Sequence, residues 1–437
     1  MFGWPLRHAV VVAAGGALAL SGSVQSVQSV RSVRSVESVQ SVRLAGAQHP
    51  SNATTSWWRI TSTFGVTKGQ AALTSISAPS AVDAWATGFT VLPTDLGISA
   101  FIRHWTGKTW RAVSLPPRMA RAWSAGLPIL AQIGASSAAN VWLFDGIGSG
   151  RAQYLRLKGT RWSMGTLPGG GGSGGEAVLI TTAKVFSPTD VWAFGVTQRF
   201  GPQGITSPYA AHFNGRRWST VPVPGMGAIT AVSAVSPDDL WAVVGSITTQ
   251  RIAPAATPAV LQWTTRSGWR AAPVQPTLPR GAQLSSVLAA RGGRLWIGGE
   301  APNPVDGLSP LVATWTGSAW TTTELTITAD TSRWGMAELA ANGTGVWGVA
   351  AAENVPGHEL WHLNGTTWSK VSPGFGWHVW QLAQLAGVPG TRSIWAAGAI
   401  RYGGTGTVKA MVALDGPTAS VQTVGHHKKT SQHRTSK

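Results

Sequence analysis

The sequence has no cysteine and few acidic residues. Its 437 residues include 34 lysines and arginines but only 16 aspartates and glutamates, which gives a formal net charge of +18. Without cysteine the chain forms no disulfides and no thiolate metal sites, and thiol content says nothing about its redox compartment. The charge imbalance favours anionic partners or surfaces.

An apolar stretch near the N-terminus is too short to cross a bilayer comfortably. Arg7 and His8 precede twelve small or apolar residues, Ala9 to Leu20, and the Ala17 to Ala19 segment resembles a cleavage site. The pattern predicts a secretory signal peptide over residues 1–20, with retention as an uncleaved anchor as the alternative. We therefore expect a secreted, extracellular protein, associated with the cell envelope, with no transmembrane span after cleavage.

Two polar segments flank the main body of the chain. The triplet Ser-Val-(Gln/Arg/Glu) occurs seven times between Ser23 and Arg43, and its period of three fits neither helix nor strand. We interpret residues 21–55 as a solvated low-complexity linker. Residues 425–437 form a basic tail without apolar residues, which we expect to be disordered. The basic linker and tail are candidates for contact with the cell wall.

The region between these segments is repetitive. One unit, Ala228 to Val274, contains four short runs of alternating or apolar residues separated by turn residues, which predicts a four-stranded antiparallel meander. Seven copies carry a second-strand tryptophan, 48 to 57 residues apart: Trp85, Trp142, Trp192, Trp241, Trp296, Trp347 and Trp395. A meander of this size does not bury both faces alone. The repeat therefore predicts an all-β fold, a seven-bladed β-propeller over residues 56–424.

The two ends of this region predict how the ring closes. Trp57 to Thr61 is typical of a fourth strand without three strands ahead of it, and the last copy has no tryptophan where its fourth strand should begin. We expect the N-terminal strand to complete the last blade. Ala419 to Val424 is the competing candidate for that place.

Three segments carry a resemblance to a known repeat family. They are H-W-T-G-K-T-W from His104, H-F-N-G-R-R-W from His212 and H-L-N-G-T-T-W from His362, each after a glycine-terminated strand. The pattern resembles the kelch repeat, in a divergent form of the secreted bacterial type, although most copies lack its double glycine and its tyrosine. The resemblance implies a propeller, but propellers serve too many functions for it to name one.

The segment His358-Glu359-Leu360-Trp361-His362 matches the zinc-protease motif H-E-x-x-H. That motif requires a helix, which brings the two histidines onto one face. The repeat places this segment on a third strand, where the histidines would lie roughly 13 Å apart. We therefore interpret His358, Glu359 and His362 as a chance match and predict no metal site and no cofactor.

Other polar repeat positions are interpreted as structural. Asp or Asn stands two residues before the blade tryptophan in four copies, at Asp83, Asn140, Asp190 and Asp239, where such side chains stabilise tight turns. We expect the repeat histidines to pack and to form hydrogen bonds within the blades.

The candidate binding residues lie where the repeat is not kept. In a meander propeller, the connections between strands two and three and those between blades open on one side, here called the loop face. Arginine beside aromatic rings in these connections suits a polyanion or a glycan. The alternative is that the tryptophans cap the blades and the arginines are solvated. The predicted binding residues are Arg118, Arg121, Trp123, Arg199, Arg251, Arg280, Arg333, Trp334, Trp377, Trp380, Arg401 and Tyr402.

Three functions fit these observations. We favour a non-enzymatic, monomeric binding or scaffold propeller that recognises an anionic envelope polymer, glycan or protein. A carbohydrate-active hydrolase or lyase would need two facing carboxylates at the channel mouth, about 5 to 10 Å apart. An extracellular nucleic-acid binder is supported by charge alone.

Overall fold

The computed structural model describes residues 58–65, 69–91, 98–125, 131–145, 151–171, 176–199, 206–245, 257–303, 307–327, 334–352, 358–372, 379–402 and 407–416. These residues form twenty-eight β-strands and one α-helix, so the expectation of an all-β fold is confirmed apart from this helix. The predicted signal peptide, linker, tail and the Ala419 to Val424 segment lie outside the described residues. No helix in the described part of the chain is long and apolar enough to span a bilayer.

The strands follow one another as four-stranded antiparallel meanders. The first strands are β1 (Arg59–Phe64), β2 (Gln70–Ser80), β3 (Asp83–Val91), β4 (Ile98–Trp105) and β5 (Trp110–Val113). After helix α1 (Pro117–Ala125) come β6 (Gln132–Ser137), β7 (Asn140–Phe144), β8 (Gln153–Lys158) and β9 (Arg161–Thr166). The next sheet contains β10 (Glu176–Ser187), β11 (Asp190–Arg199), β12 (Thr206–Phe213) and β13 (Trp218–Thr220).

The remaining sheets have the same order. They contain β14 (Ala228–Ser236), β15 (Asp239–Gly245), β16 (Ala259–Thr264) and β17 (Gly268–Ala271), then β18 (Gln283–Ala290), β19 (Arg294–Pro302), β20 (Leu308–Trp315) and β21 (Trp320–Glu324). The last are β22 (Trp334–Asn342), β23 (Gly345–Ala352), β24 (His358–Asn364), β25 (Thr367–Val371), β26 (Val379–Gly387), β27 (Ile394–Tyr402) and β28 (Thr407–Asp415).

The N-terminal strand completes the last meander, as the sequence predicts. Strand β1 pairs antiparallel with β28, with Arg59 opposite Leu414 and Phe64 opposite Ala410. A single parallel bridge between Gln70 and Val408 also joins β2 to β28, so that the first and last meanders form one eight-stranded sheet. The two ends of the described chain are therefore held together by backbone hydrogen bonds.

The sheets are arranged around a central cavity. The first strand of each meander, here called the inner strand, packs against the inner strand of the next, in the order β2, β6, β10, β14, β18, β22, β26 and back to β2. All of these strands line one cavity of about 340 Å³. This radial arrangement of four-stranded sheets is that of a β-propeller.

The hydrophobic core lies between neighbouring sheets rather than inside any one of them. One cluster joins Trp142 and Phe144 to Ile180 and Phe213 of the following sheet, and another joins Trp395 of the last meander to Leu73 of the first. The second-strand tryptophans are buried, except that Trp241 is half-buried. Each sheet thus contributes apolar surface to two interfaces, and none is covered without both neighbours.

A β-bulge in the inner strand carries a hydroxyl that joins neighbouring sheets. The antiparallel register shifts at Thr74, Thr181, Thr230 and Ser285. The hydroxyl of Thr181 lies 3.3 Å from the carbonyl oxygen of Phe194 in its own sheet and 2.6 Å from that of Ile229 in the next sheet. Its single proton is therefore shared between two carbonyl oxygens. The other three hydroxyls make the same pair of contacts.

We predict that Thr181→Val lowers the free energy of unfolding by about 1–2 kcal/mol, because valine keeps the shape but leaves two carbonyl oxygens without this donor. Chemical denaturation monitored by tryptophan fluorescence measures the effect. Thr160→Val, at an exposed turn position, is the control. An equal effect of the two substitutions would show that the bridging hydroxyl adds no stability.

Candidate functional site

The antiparallel registers define two edges of each sheet. Glu176 at the start of β10 lies opposite Arg199 at the end of β11, so inner strands begin where second strands end, at the loop face. The opposite edge, here called the turn face, carries the turns between the first and second strands and between the third and fourth strands. Of the predicted binding residues, Arg118, Arg121, Arg199, Arg280 and Arg401 are exposed at or near the loop face.

One of the predicted binding residues is wrongly assigned. Trp123 is only 1% exposed and packs with Trp85, Ile133 and Leu143, so it does not present its ring to a ligand. It lies on α1, a helix that the sequence analysis did not predict. Met119 and Trp123 are four residues apart and pack on the same cluster, as expected for one helix face. Pro117 at the first helical position was the available signal.

The structure describes only some of the other predicted binding residues. Arg199 lies 3.7 Å from Glu176, and the two side chains are 63% and 33% exposed, so their ion pair is weak. Arg251, Arg333 and Trp377 lie outside the described residues. The side chains of three further residues, whose backbones belong to β22, β26 and β27, also lie outside them: Trp334, Trp380 and Tyr402.

The H-E-x-x-H segment lies on a strand. His358 to His362 belong to β24, which pairs with β23 and β25 in regular register. Glu359 is buried and forms an ion pair with Lys370 of β25, and His362 packs against the ring of Trp347 at 4.4 Å. The helical arrangement that the zinc motif requires is not formed by these residues. The absence of a metal site remains a prediction.

His358 is an unusual member of this segment. The residue is half-buried, but both ring nitrogens are buried and have no hydrogen-bond partner within the described residues. Burial lowers the pKa of His358 to about 3, because the charged imidazolium would lose its hydration. The ring is therefore neutral at physiological pH.

Two repeat aspartates contact repeat histidines of the third strand, and not the tight turns that the sequence analysis expected. His104 Nε2 lies 2.8 Å from Asp83, and His212 Nε2 lies 2.9 Å from Asp190. Each histidine also stacks on its blade tryptophan, with ring centroids 4.0 Å apart for His104 and 4.3 Å apart for His212. These four side chains are engaged within their sheets, whereas His362 Nε2 is buried and has no hydrogen-bond partner within the described residues.

The central cavity is lined by both polar and apolar side chains. Ser77, Lys184 and Ser233 line it together with apolar residues of the inner strands. Glu338 is the only carboxylate among the described residues of the lining. The described lining thus supplies one of the two carboxylates that the hydrolase hypothesis needs.

The turn face carries a set of cations that the sequence analysis did not assign to a site. Their side chains are exposed, and they form no ion pair within the described residues. We call them the turn-face cations: Lys108, Lys158, Arg161, Arg216, Arg217, Arg266, Arg291, Arg294 and Arg392. Asp238 is the only exposed carboxylate in the described turns of this face, and it accepts a hydrogen bond from Thr265.

Short turns hold the backbone from which these cations extend. Gly159, with φ of +64°, lets the chain reverse between Lys158 and Arg161. The side-chain oxygen of Asn214 accepts hydrogen bonds from the backbone N–H groups of Arg216 and Arg217, both at 3.1 Å. The cations therefore extend from short, hydrogen-bonded turns and not from long connections.

No family model and no curated protein matches the sequence. Among solved structures, the chain is similar to YCF48 bound to D1 peptide, with 13% identity over 81% of this chain and 97% of that chain and a TM-score of 0.44. It is similar to a mutant Aleuria aurantia lectin in complex with alpha-methyl-L-fucoside, with 13% identity over 72% and 100% of the chains and a TM-score of 0.42. A protein of unknown function from Dyadobacter fermentans gives 10% identity over 82% and 99% and a TM-score of 0.45. At these values the similarities carry no argument about a ligand.

We predict that His358 makes the protein less stable in acid. Between pH 6.5 and 3 the unfolded chain binds a proton at this residue and the folded chain does not, so stability falls as pH falls through that window. His358→Gln should reduce the loss of stability between pH 7.5 and 4.5 by up to about 2–3 kcal/mol. Denaturation of both proteins at the two pH values measures this. An unchanged pH dependence would contradict the assigned burial.

Proposed function

We propose that the chain is a secreted, kelch-like, seven-bladed propeller that binds an anionic partner of the cell envelope without catalysing a reaction. The blade count follows from taking the eight-stranded sheet as two blades, which gives seven with the five four-stranded sheets. The observation that carries the binding proposal is the excess of exposed cations on the turn face that form no ion pair within the described residues.

Charge density favours an extended anionic partner. Exposed cations on a rigid surface attract a polyanion over distances near the Debye length, about 8–10 Å in physiological salt. Binding releases counterions from the polymer, so the affinity falls steeply as salt is added. The turn-face cations are spread over several sheets, which suits a polymer that makes many separate contacts better than a small ligand.

The loop face remains a second candidate surface for the same partner. Arg118 and Arg121 are exposed on α1, and Arg280 is exposed in the connection between β17 and β18. The loop face therefore also presents positive charge. Two of its predicted arginines, Arg251 and Arg333, lie outside the described residues.

We predict that the protein binds dextran sulfate and not neutral dextran. Replacing Lys158, Arg161, Arg291 and Arg294 together by glutamine should weaken binding about tenfold or more and reduce its salt dependence. Fluorescence anisotropy with labelled polymer at several salt concentrations measures both effects.

The matched control is Arg118→Gln with Arg121→Gln, which removes charge at the opposite edge and should have a smaller effect per charge removed. A larger loss in this control than in the turn-face variant would assign the polymer to the loop face. Equal binding of both dextrans would reject the anionic partner.

A further inference from the structure

A groove between two neighbouring sheets combines arginines with aromatic rings. It has a volume of about 400 Å³ and lies between the β6–β9 sheet and the β10–β13 sheet. Arg151, Tyr154, Arg216, Arg217 and Trp218 line it. A volume of this size is typical of a small-ligand pocket and is filled by one or two sugar rings.

The charged side chains in the groove are all cations. Arg151, Arg216 and Arg217 are exposed, and none of them forms an ion pair within the described residues. No described carboxylate lines the groove. The neighbouring sequence segments 146–150 and 172–175 read GIGSG and GSGG, so they add no acidic residue. The groove therefore has a positive potential that its own residues do not neutralise.

The aromatic rings are held by packing behind them. The ring centroids of Tyr154 and Trp218 are 5.8 Å apart, and Trp218 makes an edge contact with Trp142 at 5.6 Å. The guanidinium of Arg156 lies 4.6 Å from the centroid of Trp142 and donates a hydrogen bond to the carbonyl oxygen of Pro188. The half-buried rings of Tyr154 and Trp218 are thus fixed before any ligand arrives.

Two glycines leave room for the side chains that line the groove. A Cβ atom on Gly165 would lie 2.5 Å from the Tyr154 hydroxyl, and a Cβ atom on Gly171 would lie 2.9 Å from Cγ of Arg151. The positions of Tyr154 and Arg151 therefore depend on glycine at these two places. Neither arrangement is required by the repeat.

We propose that this groove binds an acidic sugar unit, carrying sulfate or carboxylate, of one or two rings. Guanidinium groups form short, charge-assisted and often bidentate hydrogen bonds with such anions. The aromatic rings supply apolar contact for the sugar. A single-stranded nucleic acid instead needs a groove that follows its backbone over several nucleotides, whereas a volume of about 400 Å³ is filled by one or two rings.

This site goes beyond the proposed polymer binding, although Arg216 and Arg217 belong both to the groove and to the turn-face cations. The polymer test replaces Lys158, Arg161, Arg291 and Arg294, none of which lines the groove. Loss of disaccharide binding with polymer binding intact, or the reverse, therefore separates the two proposals.

Isothermal titration calorimetry of the full chain tests the groove. The probe is a sulfated, uronate-containing disaccharide, with cellobiose as the neutral comparison and inorganic sulfate as the anion without a ring. We expect binding of the sulfated disaccharide, undetectable binding of cellobiose, and clearly weaker binding of inorganic sulfate. Arg151→Gln with Arg217→Gln should weaken disaccharide binding about tenfold or more.

The control variant is Arg161→Gln, an exposed arginine outside the groove, which should change the affinity less than about twofold. Unchanged thermal unfolding of the variants shows that the fold is intact. Equal affinity for inorganic sulfate and the disaccharide would reject the role of the sugar ring. Displacement of the disaccharide by a thymidine oligonucleotide at lower concentration would assign the groove to nucleic acid. Binding that is unaffected by the double substitution would place the ligand elsewhere.

Discussion

The fold depends on how neighbouring sheets are joined at the inner strands. A radial array places each inner strand beside the inner strand of another sheet, and regular ladders form only within a sheet. The bulge hydroxyls of Thr74, Thr181, Thr230 and Ser285 each link a carbonyl oxygen of one sheet to a carbonyl oxygen of the next. The apolar clusters between sheets bury hydrophobic area, but the hydrophobic effect is non-directional. The hydroxyls therefore add directional bonds at four of the seven inner-strand contacts, and an apolar cluster is present at every one of the seven interfaces.

Sequence reasoning succeeded where one periodic signal decided the outcome. The spacing of tryptophans predicted the meanders, and the repeat register placed His358 to His362 on a strand despite their match to a helical motif. The bulge hydroxyls were not found, because a threonine in an alternating strand does not by itself indicate a register shift. Trp123 was assigned to a surface because the connection before β6 was taken as irregular, whereas Met119 and Trp123 share one buried helix face.

The distribution of charge required the structure. The sequence shows the excess of lysine and arginine. Composition alone does not show whether these cations lie in long connections or in tight turns. In the described residues, nine of the eighteen exposed lysines and arginines are turn-face cations. Several acidic residues near these turns are already engaged, since Asp83 and Asp190 contact histidines and Asp239 accepts a hydrogen bond from Gln262. The repeat thus uses these carboxylates internally, and the turn-face cations form no ion pair within the described residues.

The same logic applies to the residue opposite the blade tryptophan in the sheet beside the groove. In the first and third sheets a histidine lies opposite the blade tryptophan, but in the β6–β9 sheet Arg156 takes this position opposite Trp142. Asn140 stands in place of the aspartate and accepts a hydrogen bond from the Trp142 indole. Arg156 lies over the rings of Trp142 and Phe213, and burial lowers its pKa. A half-buried cation among aromatic rings, with no carboxylate hydrogen-bonded to it within the described residues, adds to the positive potential of the adjoining groove. The change of repeat chemistry and the arginines of the groove therefore act in the same direction.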